Sequence, residues 1–258
     1  MNIYGLTDRG LLRETNEDCI GITCLKNGIT IAVVCDGMGG AAGGKIASEI
    51  GENTFMQEMV SFCEPLEKDS FDSKKLKNAI KESIERANSA ILGKAREDLS
   101  LFGMGCTLNA LVFCEFKSKA YYANVGDSRL YMINEKKIKQ LSKDHSYVQM
   151  LLDNKEITKE EAQKHPQKNL ITKALGIKDE IEPDILDIKT SKNGNEYFLL
   201  CSDGLHGMLD EDTLQFIALS DDSIEKKVFT YITLANEAGG VDNISAILLS
   251  TKETEVAK

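Results

Sequence analysis

The chain has 258 residues, 42% hydrophobic and 28% charged, with only 3 Pro and a formal net charge of −10. This is a globular composition, and its acidic balance argues against nucleic-acid binding, which needs a basic face to displace counterions. No run of about 18 or more uncharged apolar residues is present, so no membrane insertion is expected. The N-terminal MNIYGLTDRG lacks the basic-then-apolar pattern of a signal peptide, and a cytoplasmic protein is expected. Seven cysteines, an odd number without a C-x-x-C pair, read as reduced thiols and not as disulfides or a zinc site.

In chain order, Ile3 to Thr7 predicts a short strand, followed by a turn at Asp8-Arg9-Gly10 and a polar run, Arg13 to Asp18. Cys19 to Leu25 and Ile29 to Cys35 are apolar runs joined by Lys26-Asn27-Gly28, a strong hairpin signal. The second has the continuous apolar character of a strand buried on both faces. It ends in Asp36-Gly37 and a glycine-rich stretch, where the missing side chains let the backbone approach a neighbour closely. Ala47, Gly51, Phe55, Met59 and Phe62, and then Leu76, Ile80, Ile84, Ala87 and Ile91, recur at helical spacing.

Strands return over Cys106 to Phe116, Lys119 to Val125 and Arg129 to Ile133, and their short polar connections predict antiparallel pairs. The segment from Asp144 to Gly176 breaks this pattern with two short helices, the second opening on the capping box Thr158-Lys159-Glu160-Glu161. An irregular excursion of this length is often functional; a structural insertion is the alternative. Strands follow at Asp184 to Ile188 and Glu196 to Cys201, joined through Asn193-Gly194. Helices then run around Glu211 to Leu219 and Ser223 to Asn236, the latter ended by Gly239-Gly240. Asn243 to Leu249 is the final strand, and 251–258 is a polar tail. Hairpin-linked strands with two helix pairs predict an α+β fold, a four-layer αββα sandwich of two antiparallel sheets flanked by helix pairs, in one domain over residues 1–250.

Carboxylates stand beside glycine or at a strand end in five places: Glu17-Asp18, Asp36-Gly37, Gly126-Asp127, Asp203-Gly204 and Gly240-Val241-Asp242. Taken singly, each reads as a turn. Taken together, with no spaced His or Cys ligands, they suit Mg²⁺ or Mn²⁺ and not Zn²⁺. His145, His165 and His206 show no H-x-x-x-H spacing and read as structural or surface residues.

The ordered set Asp8-Arg9-Gly10 with Arg13, Asn16-Glu17-Asp18, Asp36-Gly37-Met38-Gly39-Gly40, Gly103-Met104-Gly105-Cys106-Thr107, Val125-Gly126-Asp127-Ser128-Arg129, Asp144-His145-Ser146, Ile171 to Gly176, Ser202-Asp203-Gly204-Leu205 and Asp242-Asn243-Ile244-Ser245 resembles the metal-dependent Ser/Thr protein phosphatases of the 2C type, in their compact bacterial form. The resemblance runs from about residue 3 to 250. It implies hydrolysis of phosphoserine and phosphothreonine in proteins by a water activated between two Mn²⁺ or Mg²⁺ ions, opposing a bacterial Ser/Thr kinase.

By the same resemblance Asp36 bridges the two ions, the Gly37 carbonyl completes the second site, Asp203 and Asp242 bind the first, and Glu17 holds metal-bound water. Asp127 with Asp203 holds a third ion, Arg13 binds the phosphate, and Asp18 supports the site through hydrogen bonds. Two cations suit this slow reaction because they acidify and orient a shared water and neutralise phosphoryl oxygens. No cysteine then has to be catalytic. Met38 stands where animal members carry a histidine proposed as general acid; a thioether has no proton to give, which leaves leaving-group protonation to metal-bound water. Cys106 replaces a usual Thr without a chemical role. The segment 144–176 corresponds to the family's flap, expected to select the phosphopeptide. The implied partners are phosphorylated proteins and a cognate kinase, and the implied state is a monomer. Two rival readings are a same-fold phosphatase acting on a sigma-factor regulatory phosphoprotein and an inactive pseudophosphatase binding module. The flap-like segment argues against the first, and the presence of Asp36, Asp203 and Asp242 against the second.

Overall fold

A computed structural model of the chain describes residues 2–191 and 194–251, the side chains of 40–42 excepted. The elements in order are β1 (Asn2–Asp8), β2 (Asp18–Cys24), β3 (Ile29–Met38), α1 (Gly40–Cys63), α2 (Ser73–Glu97), β4 (Gly105–Cys106), β5 (Leu108–Cys114), β6 (Lys119–Val125), β7 (Arg129–Asn134) and β8 (Lys137–Gln140). Then come α3 (Tyr147–Asp153), α4 (Lys159–Lys164), β9 (Asp184–Lys189), β10 (Tyr197–Cys201), α5 (Asp203–His206), α6 (Glu211–Leu219), α7 (Ile224–Glu237) and β11 (Ile244–Ser250).

Two antiparallel sheets form, one in the order β1-β11-β10-β7-β8, the other β2-β3-β5-β6-β9 with β4 on the end of β3. The side-chain period of two explains why the runs read as continuously apolar. In β3, Ile31, Val33 and Cys35 face a core shared with Phe55 and Met59 of α1 and Ile80, Ile84 and Ile91 of α2. The alternate residues Ala32 and Val34 face the other sheet, against Leu130, Phe198, Leu200 and Ile247. In β11, Ile244, Ala246 and Leu248 pack under Leu214 of α6 and Val228 and Tyr231 of α7. Three apolar layers between four layers of secondary structure make the αββα sandwich that the sequence predicts. No helix among the described residues is long and apolar enough to cross a membrane.

Local signals also hold. Asn27-Gly28 turns β2 into β3, with Gly28 at φ +83°, and the Asn27 side chain donates to the Cys63 carbonyl at 2.8 Å, tying the hairpin tip to the end of α1. The Thr158–Glu161 capping box is present on α4.

Two expected pairings are wrong. The sequence predicts that the strand over Lys119 to Val125 pairs with the one over Arg129 to Ile133; β6 instead pairs with β5 and β9, and β7 with β10 and β8, in the opposite sheet. Likewise β9 and β10 lie in different sheets despite their short link. Each short connection is a crossing between layers, and the three residues Gly126 to Ser128 make the first of them. The strand predicted from Cys106 is broken at Thr107 into β4 and β5, and the short β8 and α5 carry no sequence signal of their own. Asn193 and the tail over 252–258 lie outside the described residues.

Candidate metal and phosphate site

The predicted acids gather where β2 and β3 meet α5 and two loops, 9–17 and 239–243. Register pairs Asp18 with Asp36 across β2 and β3. The tip of β3 is fixed by Thr107: the Asp36 amide donates to Thr107 Oγ1 at 2.9 Å, and the Asp36 carbonyl accepts from the Thr107 amide at 2.8 Å. Gly37 donates its amide to the Glu17 carbonyl at 3.2 Å. A Cβ on Gly37 would stand 2.1 Å from the Gly44 carbonyl oxygen and 2.6 Å from that of Glu17. The neighbour this glycine admits so closely is therefore the chain's own backbone.

Asn243 wires the two loops together. Its Nδ2 donates to the carbonyls of Arg9 at 2.8 Å and Thr15 at 2.9 Å, and its Oδ1 accepts from the Glu17 amide at 2.8 Å. Its own amide donates to Asp242 Oδ1 at 2.8 Å. One asparagine thus sets both neighbours, Glu17 through its side chain and Asp242 through its backbone amide. Arg13 donates one guanidinium nitrogen to Asp242 Oδ2 at 2.7 Å, a bond that raises its pKa. The fork that the sequence reading leaves to the phosphate is in part engaged by Asp242.

Asp203 opens α5, next to the buried Ser202. Asp36 and Asp203 both keep some surface at the rim, yet desolvation dominates their carboxyl groups. Burial pushes Asp36 well above the carboxylate range, helped by the charges of Asp18, Asp203, Asp127 and Asp242. Burial and then Asp242 push Asp203 up to about 6. Asp127 rises to about 7 through burial and then Asp203. Asp18 rises to about 7 through burial, although its Oδ2 accepts from Ser245 Oγ at 2.6 Å and Ser202 Oγ at 2.7 Å. Glu17 rises by desolvation.

The sequence-predicted set is therefore brought together: Asp36, Gly37, Asp203, Asp242, Glu17 and Arg13 lie in one site, with Asp127 on its far side. The buried oxygens Asp127 Oδ1, Asp203 Oδ1 and Asp18 Oδ1 have no hydrogen-bond partner, and such orphans in a crowd of anions suit a cation. Among the described residues no three His, Cys, Asp or Glu side chains enclose an ion by themselves. An open, all-oxygen site fits Mg²⁺ or Mn²⁺, hard ions bound through a few carboxylates with retained waters.

Sequence reasoning missed the wiring. Ser202, Asn243 and Ser245 adjoin predicted acids, and that adjacency was the available signal. It also missed the clamp between Arg129 and Asp144, where Arg129 NH2 lies 2.7 Å from Asp144 Oδ2. Each histidine, read from the sequence as a structural or surface residue, has a partner within the chain: His145 Nδ1 accepts from the Gly126 amide at 3.1 Å, His206 Nε2 lies 3.2 Å from the Asp127 carbonyl, and His165 Nδ1 accepts from the Gln167 amide at 3.1 Å. A cavity of about 1010 Å³ opens from Asp127, Asp203 and Asp242 under the 144–176 segment, where Val148, Leu152 and Lys168 line it.

A four-layer sandwich with an anionic cluster and an arginine at one end is the architecture of a metal-dependent phosphatase. The family model for protein phosphatase 2C matches residues 13–240. Serine/threonine phosphatase Stp of Listeria monocytogenes is 36% identical over 251 residues, covering 96% of this chain and 95% of that protein. Protein phosphatase PhpP of Streptococcus pneumoniae is 36% identical over 255 residues, covering 99% of each. The catalytic domain of the serine/threonine protein phosphatase PstP, solved in complex with two manganese ions, superposes with a TM-score of 0.82 at 28% identity over 98% of both chains. The chain belongs to the protein phosphatase 2C family, as a serine/threonine phosphatase of the bacterial type.

Proposed function

We propose that this enzyme hydrolyses phosphoserine and phosphothreonine in proteins through two divalent cations, Mn²⁺ or Mg²⁺, in the bacterial cytoplasm, where it opposes a Ser/Thr kinase. Asp36 would bridge the ions, with the Gly37 carbonyl on one and Asp203 and Asp242 on the other, and Glu17 beside them. Asp127 with Asp203 would take a third. The observation that carries this reading is the convergence of acids from five distant segments, three of which contribute a buried carboxylate oxygen without a hydrogen-bond partner.

When bound, such ions supply an acidified, oriented water for in-line attack on phosphorus and neutralise the phosphoryl oxygens. The chain's own residues do the rest. Thr107 and Asn243 hold Asp36, Glu17 and Asp242 in place through the backbone bonds described above. Arg13, bonded to Asp242 through one nitrogen, would present its planar fork to two phosphoryl oxygens. Met38 stands beside Asp36-Gly37 and has no proton to give the leaving alkoxide. Residues 1–250 serve as one catalytic domain, acting as a monomer.

The test is phosphate release from a phosphothreonine peptide with Mn²⁺, with Mg²⁺ and with EDTA. Release with either metal and none in EDTA is expected; release that ignores the metal refutes the proposal.

A further inference from the structure

Leu11, Leu12 and Val241 are 62%, 70% and 46% exposed. A single exposed leucine is ordinary, but these three are held together on the rim of the site. The Gly240 carbonyl accepts from both the Leu11 amide at 2.8 Å and the Leu12 amide at 3.2 Å. A Cβ on Gly240 would stand 2.9 Å from Leu11 Cγ, so that side chain lies on the Gly240 backbone. One residue beyond Leu12 on one loop, and one beyond Val241 on the other, Arg13 and Asp242 meet at 2.7 Å. Val241 also lines the cavity that begins at Asp242, Asp203 and Asp127. Backbone bonds fix this loop pair, whereas the two leucine side chains are mostly exposed and belong to none of the three apolar layers.

We propose that Leu11, Leu12 and Val241 form an apolar platform that grips a bulky apolar side chain next to the phosphorylated residue of the substrate. The inference rests on the reading that the phosphoryl group sits at Arg13. An extended substrate chain advances about 3.3–3.6 Å per residue. A neighbour of a phosphothreonine anchored at Arg13 therefore falls over side chains one and two positions away. The occupant is a substrate polypeptide because the platform is continuous with the site that receives its phosphoryl group. The three side chains are uncharged, so an apolar neighbour buries surface there without desolvating a charge.

The experiment uses the full chain with Mn²⁺ and two phosphothreonine peptides, identical except for Leu or Ser on both sides of the phosphoresidue. The wild type is expected to prefer the Leu peptide about tenfold in kcat/KM, the difference lying in KM, as burial of one leucine side chain implies. In the double variant Leu11→Ser with Leu12→Ser the ratio should fall to near one. Val241→Thr, which keeps the shape of the side chain, should lower the ratio in part and serves if the double variant does not fold. Equal kcat/KM for both peptides in the wild type, or a preference that survives in the variants, overturns the platform. So does sedimentation showing a wild-type dimer that the double leucine variant does not form. Failure to turn over either peptide with Mn²⁺ refutes the site reading itself.

Discussion

The ion pair at the base of the 144–176 segment allows a worked prediction. Arg129, at the start of β7, contacts Asp144 through Nε at 3.1 Å to each carboxylate oxygen and through NH2 at 2.7 Å. Its NH1 donates to Tyr131 Oη at 3.0 Å, and Gln140 Nε2 donates to Asp144 Oδ1 at 3.0 Å. The side chains are 26% and 10% exposed, so Asp144→Ala leaves a largely desolvated guanidinium without its counter-ion. Removing one partner of a buried pair costs about 3–5 kcal/mol. Because Arg129 keeps some contact with water, the lower end applies, about 3 kcal/mol. For a chain of this size that lowers the melting temperature by about 6–12 °C. The assay is urea and thermal unfolding of Asp144→Ala, Arg129→Met and the combination. Since the double variant leaves no orphaned charge, it should be more stable than Asp144→Ala, with a coupling of about 2 kcal/mol or more. A loss under about 1 kcal/mol for Asp144→Ala, or losses that simply add, would refute the reasoning.

Other outcomes follow from the same geometry. Asp36→Asn should lower metal-dependent turnover by at least about 10²-fold with a native circular-dichroism spectrum, because Thr107 binds the Asp36 backbone and not its carboxylate; an active, well-folded variant would sink the bridging role. Gly10 sits at φ +76°, and a Cβ there would lie 2.1 Å from the Asp242 carbonyl oxygen. Gly10→Ala should therefore cost about 2 kcal/mol in unfolding experiments and reduce turnover together with stability; wild-type behaviour in both would contradict the packing described. Of the seven free thiols only Cys24 is exposed, while burial pushes Cys63, Cys114 and Cys201 up to about 12. The thiolate is the reactive form, so alkylation at pH 8 should label Cys24 quickly and those three only after denaturation, as peptide mass mapping would show. Rapid labelling of Cys63 in the native protein would contradict this.

Much of the molecule was legible in the residues themselves. Apolar runs bounded by Asn-Gly or Asp-Gly located most of the strands, and helical periodicity located α1, α2, α6 and α7, because burial and period are local properties. The acids were legible as well: Asp36, Asp127 and Asp203 each follow an apolar run closely, so a strand end had to carry them. Which strands pair was not. The three residues between β6 and β7 look the same whether the chain turns back within a sheet or crosses to the other one; here the choice goes with Phe198 and Leu200 packing across to the other sheet's Val34 and Leu111. The site's wiring had the same origin. Asn243 reaches Arg9, Thr15 and Glu17, and Asp18 receives hydroxyls from Ser202 and Ser245, partners more than 180 residues away that no local pattern marks. The sequence thus determined which groups the protein can bring to a phosphate. The tertiary structure decided how they are held, because hydrogen bonds and desolvation act on distances in space and not on positions along the chain.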